Sequence, residues 1–548
     1  MPWWLGVVLR VSRDIAVRER LAPRADSPTE RLFDAVVDDL VRGGELARAR
    51  FATHWSDTAA LGELAAAKRR PLPEPLARAM HASHMARGAS PESIANLERL
   101  ARGEAVCVVA GQQPAPLGGP LYSLHKIACA VGLAEVVTER TGVPCVPLFW
   151  MHGEDSDFAE IRVATCATRD LELRDVALPA DAHRDGGLVG GIPVAALAAA
   201  EAEAFPAWEG LAGAADAKRL IGGALARATD LGEANAALML ALFGARGLVV
   251  ADPRLPEFRA AARGVIDRYL ARADELGAAA RAAGERLERG VGRRPLTDAS
   301  LDSFVFAIRD GTRQKIGAAE ARAAGAAIVL SPSVALRPVV QDGVFPTVAM
   351  ACGAAEVSYL AQLREVFEGV DVRAACPVPR LTATWLPAAA RELAAASGAS
   401  AWDVVIGADR VVREHADRSV PQDLRGELES ARAGTFAALE RFSGLSTQLD
   451  SSLPQLVESV RGKIDFQFAR LAETLTGKAK HRLERLHPEW SRLRYFLLPG
   501  DKLQERRLCS MEPVAHRGAD VVDALCDLAA AQARRLAEGV HEHLLLEL

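Results

Sequence analysis

Aromatic residues are scarce in this sequence, at 5% of 548 residues with only four tyrosines. With alanine and arginine plentiful, that scarcity favours a helix-rich fold. No stretch reaches the roughly 18–20 uninterrupted apolar residues that a membrane span needs, so a membrane protein is not expected. The apolar start Met1–Arg10 lacks a basic leader region and a small-residue cleavage site, and does not read as a signal peptide. The eight cysteines (107, 129, 145, 166, 352, 376, 509 and 526) include no Cys-x-x-Cys pair. Several sit inside apolar runs, so reduced, buried thiols and a cytoplasmic location are expected, and a structural zinc site is not. The remaining histidines, His152 included, show no ligand spacing, and no metal site is assigned to them. A net charge of −5 provides no basic excess, which argues against a nucleic-acid binder. Two nucleotide motifs are also missing, the Gly-Lys-Ser/Thr ending of a P-loop and the Gly-x-Gly-x-x-Gly fingerprint.

What is present is an ordinary globular composition, half apolar and a quarter charged, in a chain long enough for two to four units. The stretch from Val106 to Lys126 organises it. A valine-rich run of strand length passes through Gly111, Gln112 and Gln113 and a Pro/Gly-rich turn, then opens into a helix at Pro120. A buried strand that empties through glycines into a helix start is how α/β sheets build anion and nucleotide sites. That helix runs to about Arg140, and Cys145–Trp150 is a second apolar strand, so strand, helix and strand form a βαβ unit with a parallel sheet. Strand C-termini are where open α/β sheets bind ligands. The acidic loop Met151–Glu160, which follows the second strand, is therefore expected to face the same crevice as Gln112 and His125.

Elsewhere the patterns are coarser. Residues 1–104 read as an N-terminal helical part of the core, 105–170 as the first half of a Rossmann-like core, and 171–246 as a mostly helical insertion. Within them, Pro28–Leu40 reads as an amphipathic helix and Ile161–Cys166 as a further strand. Residues 247–385 form the second half of the core. Gly247–Asp252 is read there as a buried strand, Phe258–Glu288 as helix and Cys376–Arg380 as a last core strand or edge. A small subdomain at about 295–325 carries a hairpin, Phe304–Arg309 and Thr312–Ile316 about an Asp-Gly turn. Leu330–Asp342 reads as a polar loop block, and Gly353–Glu356 as a second glycine turn into a helix. From 386 to 490 the chain is helical. Phe442, Leu445, Leu449, Leu453, Leu456, Val460, Ile464, Phe468, Leu471 and Leu475 step by three and four, a narrow stripe of coiled-coil type. The break Asp450–Pro454 makes this two antiparallel helices whose stripe wants a partner. Residues 491–548 return to the core and end in a helix, Gly518–Leu548.

The polar groups admit more than one chemistry. His125 and Lys126 stand in the first turns of a helix over a strand end, where an anion would lie, although a chance surface pair has the same look. Glu154, Asp155 and Asp157 could bind Mg²⁺, orient and deprotonate an amine, or form an ordinary solvated loop. Asp155-x-Asp157 also has the form that metal-dependent glycosyltransferases use. Arg337 with Gln341 could clamp a phosphate or carboxylate, or make a structural ion pair.

Taken together, several motifs resemble the bacillithiol biosynthesis cysteine-adding enzyme family. They are Val-Ala-Gly-Gln-Gln-Pro with Gly-Gly-Pro-Leu-Tyr-Ser-Leu-His-Lys, Pro-Leu-Phe-Trp-Met-His-Gly-Glu-Asp-Ser-Asp-Phe-Ala-Glu-Ile, Leu-Ser-Pro-Ser-Val-Ala-Leu-Arg-Pro, Gly-Ala-Ala-Glu-Val-Ser-Tyr-Leu-Ala-Gln-Leu and Leu-Gln-Glu-Arg. They occur in the expected order from about residue 105 to 506. The resemblance implies a class I synthetase-like Rossmann core with connecting-peptide insertions and a long α-helical coiled coil through which the chain forms a homodimer. It implies a ligase that adds cysteine to glucosaminyl-malate, with ATP expected as the activating cosubstrate and Mg²⁺ as a candidate companion. On this reading Gly111, Gln112, Gln113, Gly119 and Pro120 hold phosphates, and His125 and Lys126 stabilise the transferring phosphoryl group. Glu154 and Asp155 bind the substrate ammonium. Tyr122, Asp157, Arg337, Gln341, Glu356 and Tyr359 complete the substrate contacts. A metal-dependent glycosyltransferase and a non-catalytic coiled-coil scaffold are the two alternatives from other classes. The sequence departs from the family pattern at Ser156, where a histidine is common, at Arg162-Val163, at Ala115–Gly118, and at Ala354 or Ala355, where a glycine is usual.

Overall fold

The computed structural model describes residues 15–22, 34–292 and 294–548. Met1–Arg10 and the first turns of the helix expected from Pro28 lie outside them. At the centre is a five-stranded, all-parallel sheet: β1 (Val106–Gln112), β2 (Cys145–Met151), β3 (Val249–Ala251), β4 (Thr347–Cys352) and β5 (Cys376–Pro379), in the order β5-β4-β1-β2-β3. β1 is buried along its whole length because it has a neighbour on each edge and a helix over it, which explains its continuous apolar run. The chain leaves β1 toward β2 and returns on the other side at β4. The C-terminal ends of β1 and β4 are therefore the switch point at which such sheets hold ligands.

Helix α1 (Leu121–Thr141) crosses from β1 to β2 and is buried over most of its surface. By length and hydropathy it would pass for a membrane span, yet it lies inside the fold. Its Gly132 sets how closely α1 meets a helix near the C-terminus, since a Cβ there would come 2.4 Å from the Ala530 backbone nitrogen.

β4 corrects the sequence reading, which assigned its region to polar loops. Thr347-Val-Ala-Met-Ala-Cys carries little intrinsic strand preference, and pairing with β1 and β5 on its two edges makes it a strand. The loop block likewise resolves into a strand, Val329–Pro332, and a helix, Arg337–Val344, before β4; α2 (Ala354–Ala361) follows it. The expected hairpin is present. Val305–Arg309 pairs antiparallel with Thr312–Lys315 across a two-residue turn with Asp310 and Gly311 at φ 51° and 68°, as a type I′ turn requires. Val329–Pro332 adds a third strand to it.

The helical arm is α3 (Ala401–Ser419), α4 (Gln422–Ser446) and α5 (Leu453–Leu486), the last about 50 Å long at 1.5 Å per residue. Pro454 stands in its first turn. α4 and α5 pair through a Phe436–Phe468 edge contact at 6.4 Å and an Arg432–Asp465 ion pair at 2.7 Å. α3 runs against the far half of α5 through Asp417 and Thr476 (2.6 Å), a third helix beyond the expected two. Phe442, Leu445 and Leu449 stay 59%, 65% and 86% exposed, so part of the stripe has no partner among the described residues.

The expected terminal helix also needs correction. It spans only α6 (Val521–Ala537), after which His543–Glu547 forms the middle strand of a second sheet between Val17–Leu21 and Thr382–Leu386. The leucine run there is buried as a strand with neighbours on both edges, and that favours sheet over helix.

The turn between β1 and α1 holds Leu117 in a left-handed conformation, φ 55°, and its N–H donates to the buried Glu201 carboxylate at 2.8 Å. Burial pushes the Glu201 carboxyl up to about 7. A folded pKa above the unfolded one means that the folded state binds the proton more tightly, so stability is lost as pH rises from about 4.5 to about 7. The E201Q variant should lack that dependence. Between pH 5 and pH 8 the wild type should lose up to about 3 kcal/mol relative to it in denaturant titrations. Parallel curves for the two proteins would show that Glu201 ionises as it does in the unfolded chain.

Candidate active site

Four strand ends converge on one crevice of about 610 Å³. β1 delivers Gln112 and Gln113, and β2 delivers His152 and Asp155. β4 delivers Gly353 to Glu356, and the residue after β5 is Arg380. The hairpin sheet closes the opposite side with Phe306, Arg313 and Lys315. A second cavity of about 1080 Å³ adjoins it across Gly353–Ala355, and Arg380 and Arg506 face both.

His125 and Lys126 are successive residues on α1, about 100° apart around its axis, so they serve different neighbours. Lys126 lines the crevice, where its ammonium contacts the Glu356 carboxylate at 2.6 Å and donates to the Gly111 carbonyl at 3.0 Å. His125 is fully buried and does not reach the crevice. Its Nε2 accepts from the Trp385 indole N–H at 3.2 Å, which leaves the proton on Nδ1, directed to Glu505 at 3.0 Å. Burial lowers its pKa. The expected role for His125 in phosphoryl transfer is corrected accordingly: both ring nitrogens are engaged in the core, and it is a positioning residue. Glu505 in turn accepts from both Nη atoms of Arg380, at 2.9 and 2.5 Å. Burial alone would raise the Glu505 carboxyl, but Arg380 and His125 override it and hold it far below the usual carboxylate range.

The acidic loop divides in the same way. Glu154 is buried against Arg259 at 2.7 Å and does not line the crevice, so its expected contact with a substrate ammonium is corrected to a structural ion pair. Asp155 does line it, but each of its oxygens takes a different guanidinium, Arg313 and Arg337, both at 3.3 Å. Burial would raise its carboxyl and the two arginines hold it low. An anion already shared by two cations is no ammonium site, and it is poorly placed for the Asp155-x-Asp157 metal of a glycosyltransferase. Arg337 also donates to His152 Nδ1 at 2.9 Å. Burial, then Arg337, Lys126 and Arg313, push His152 well below the usual imidazole range. The ring packs so closely on β1 that a Cβ at Gly111 would stand 2.7 Å from its Nε2, so this position requires glycine.

Two carboxylates face the crevice without a cation. Asp157 caps the Phe158–Ile161 turn through the Glu160 N–H at 3.1 Å, and the Glu160 carboxylate accepts from Gln113 at 2.8 Å. Among the described residues neither forms an ion pair. Gln112 donates to the Tyr122 hydroxyl at 3.1 Å, and Tyr122 and Tyr359 both line the wall. Gln341 is buried beneath, donating to Asp342 at 3.1 Å, and its expected ligand contact is corrected.

The helix start is corrected as well. The Leu121 N–H donates to the Leu508 carbonyl at 2.6 Å and the Gly119 carbonyl accepts from the Ser510 N–H at 2.8 Å, so the C-terminal segment covers Gly119 and Pro120. Neither lines the main crevice. An anion there would be met by side chains rather than by the helix terminus. Glu160, Arg313, Lys315, Arg380 and Arg506 are charged crevice residues that were not among the candidates from sequence. Glu160 was legible as the third residue after Asp157 on a short helix, whereas the others are brought in by distant segments.

Comparison with known proteins gives one answer along most of the chain. Residues 27–381 match the family model described as the N-terminal Rossmann-like domain of bacillithiol biosynthesis BshC, and residues 383–534 match its C-terminal coiled-coil domain. A protein of Koribacter versatilis is 31% identical over 467 residues, covering 81% of this chain and 85% of its own length. A protein of Geobacillus kaustophilus is 28% identical, covering 82% and 87%. One of Symbiobacterium thermophilum is also 28% identical, with the same coverage. All three carry the name "Putative cysteine ligase BshC".

The Glu505 junction makes a stability prediction. Glu505→Ala leaves Arg380 buried and unpaired and should cost about 3–5 kcal/mol in urea unfolding. A double variant, Arg380→Met with Glu505→Leu, should recover most of it. A single-variant loss below about 1 kcal/mol, the level of an exposed pair, would show that the junction is solvated.

Proposed function

The chain belongs to the BshC family of bacillithiol biosynthesis, and on that premise we propose that it joins the carboxyl group of cysteine to the amine of glucosaminyl-malate at the crevice described above. Its class is that of a ligase forming a carbon–nitrogen bond through the addition of cysteine. The observation that carries the reading of the acceptor is the division of charge. One lip offers Asp157 and Glu160, which carry no cation. Beside it, with the Gln113 amide shared between Asp155 and Glu160, the single carboxylate of Asp155 brings Arg313 and Arg337 together. An acceptor with an ammonium at one end and carboxylates at the other matches both.

A carboxylate does not acylate an amine in water at neutral pH until a leaving group is installed, and ATP, when consumed, supplies that group as an acyl phosphate or adenylate. The chain's own residues do the rest. Glu160, held by Gln113, orients the ammonium and takes its proton so that the nitrogen lone pair is free to attack. Gln112 and Tyr122 fix the floor beneath the reacting carbonyl. Lys126, held by Glu356 and the Gly111 carbonyl, presents N–H donors already fixed in place, which costs no reorganisation. Arg506, facing both cavities, is the side chain available for a nucleotide's phosphates in place of the covered helix start, with the Glu505-paired Arg380 beside it. The exposed Leu445–Leu449 stripe is the face through which we place the homodimer, and the eight free cysteines suit a reducing cytoplasm.

Purified protein given cysteine, glucosaminyl-malate and ATP should yield the amide adduct by mass spectrometry together with ATP turnover. Absence of both product and turnover overturns the ligase reading. Glu160→Gln should lower kcat/KM for the acceptor by about 10²–10⁴-fold, the usual contribution of a general base. An unchanged value removes Glu160 from the mechanism. The Leu445→Glu, Leu449→Glu double variant should elute as a monomer in light scattering where the wild type is a dimer. Equal masses would move the contact elsewhere.

A further inference from the structure

The hairpin that closes the crevice carries an arginine whose bonding is incomplete. The Arg313 side chain is 5% exposed, yet it shares its one carboxylate, Asp155, with Arg337. Each Nη is seen in one bond, Nη1 to Asp155 at 3.3 Å and Nη2 to the Pro332 carbonyl at 2.8 Å, and the buried Nε has no hydrogen-bond partner. The guanidinium lies 3.9 Å over the Phe306 ring, which fixes its plane. Two guanidiniums on one carboxylate leave a positive charge in a wall of low polarity, and burial, with Arg337 close by, lowers Arg313 to about 10. A structural cluster would be expected to pair both cations. This one is oriented, desolvated and short of an anion, and it faces the cavity beside Lys315.

We propose that Arg313, with Arg337, forms a two-guanidinium seat for the dicarboxylate arm of the acceptor, and that the hairpin thereby sets which amino sugar the enzyme accepts. Only the identity of the acceptor rests on the ligase reading; the seat itself is a binding site for a small dicarboxylate. Planar guanidiniums recognise carboxylates in a two-point geometry that an ammonium does not reproduce, so lysine is a poor substitute. Asp155 bridges the two arginines and offsets part of their charge, so it competes with an incoming carboxylate.

L-Malate alone is the probe, followed by calorimetry on the full-length protein. The wild type should bind it saturably, and dimethyl malate should not compete. Arg313→Gln should weaken binding by at least about tenfold, and Arg313→Lys should restore only part of it. Asp155→Asn, which removes the competing anion without deleting a guanidinium, should tighten binding, and this arm keeps the test decisive if Arg313→Gln folds poorly. Malate bound equally by wild type and Arg313→Gln, or displaced by its dimethyl ester, overturns the seat. Weaker malate binding by Arg313→Gln in a protein that makes no amide supports the seat and counts against the ligase. Ligation with an unchanged acceptor KM in Arg313→Gln keeps the ligase and removes the seat.

Discussion

The bond on which the site most depends is the buried pair between Arg380 and Glu505. It joins three parts of the chain that are distant in sequence: the residue after the edge strand β5, the start of α1 through His125, and the segment returning from the helical arm. Gln504 adds to the same junction by accepting from the Trp385 N–H at 2.8 Å and donating to the Trp385 carbonyl at 3.0 Å. Charges this deeply buried contribute little net stability when matched but a large penalty when separated. The junction therefore acts as a register lock. It allows one seating of the C-terminal segment on the core, and that seating covers the helix start at Gly119 and Pro120.

The character of the crevice follows from that closure. With the α1 terminus sealed by Leu508 and Ser510, the anion-binding capacity of the site moves from backbone N–H groups to side chains. Those side chains come from three elements: Arg337 from a helix start, Arg506 from the returning segment, and Arg313 with Lys315 from the inserted hairpin, while Arg380 beside them is held by Glu505. Against them stand four carboxylates. Two, Asp155 and Glu356, are matched within the protein, and two, Asp157 and Glu160, are left for a ligand. The matched and unmatched carboxylates lie side by side, since the Gln113 amide donates both to Asp155 at 3.4 Å and to Glu160 at 2.8 Å.

Local pattern was enough to find β1, α1, β2, the Asp-Gly hairpin and the helical arm, because each is marked by a feature of neighbouring residues: a continuous apolar run, a left-handed turn or a stripe stepping by three and four. β4 and the terminal strand escaped because they are strands by virtue of their partners. Thr347–Cys352 is stabilised by the sheet on both edges, and the leucines of His543–Glu547 have no period that separates strand from helix. The site was half legible for the same reason. Gln112, Gln113, Lys126, Asp155, Arg337 and Glu356 do meet in one crevice, as strand-end logic implied. Sequence adjacency could not tell His125 from Lys126, since the difference is made by Glu505, 380 residues away. Nor could it separate Glu154 from Asp155, which depends on Arg259 claiming the first and Arg313 the second.

The positions at which this sequence departs from the pattern of its family gain meaning from the same geometry. Ser156, standing where a histidine is common, does not line the crevice, and its N–H donates to Asp155 Oδ1 at 2.8 Å. Arg162 turns away to the Leu178 carbonyl at 3.0 Å. Neither side chain lines the crevice in this chain. Ala354 and Ala355 do lie on that wall, in the first turn of α2, where both the main crevice and the adjoining cavity touch them. Alanine is compatible with helical backbone there, and α2 keeps its cap, with Glu356 accepting from the Gly353 N–H at 2.7 Å. Its effect is to add a methyl group to the partition between the two cavities. Of the departures at 156, 162, 354 and 355, only those at Ala354 and Ala355 touch the walls of the two adjoining cavities, where an added methyl group changes shape rather than charge.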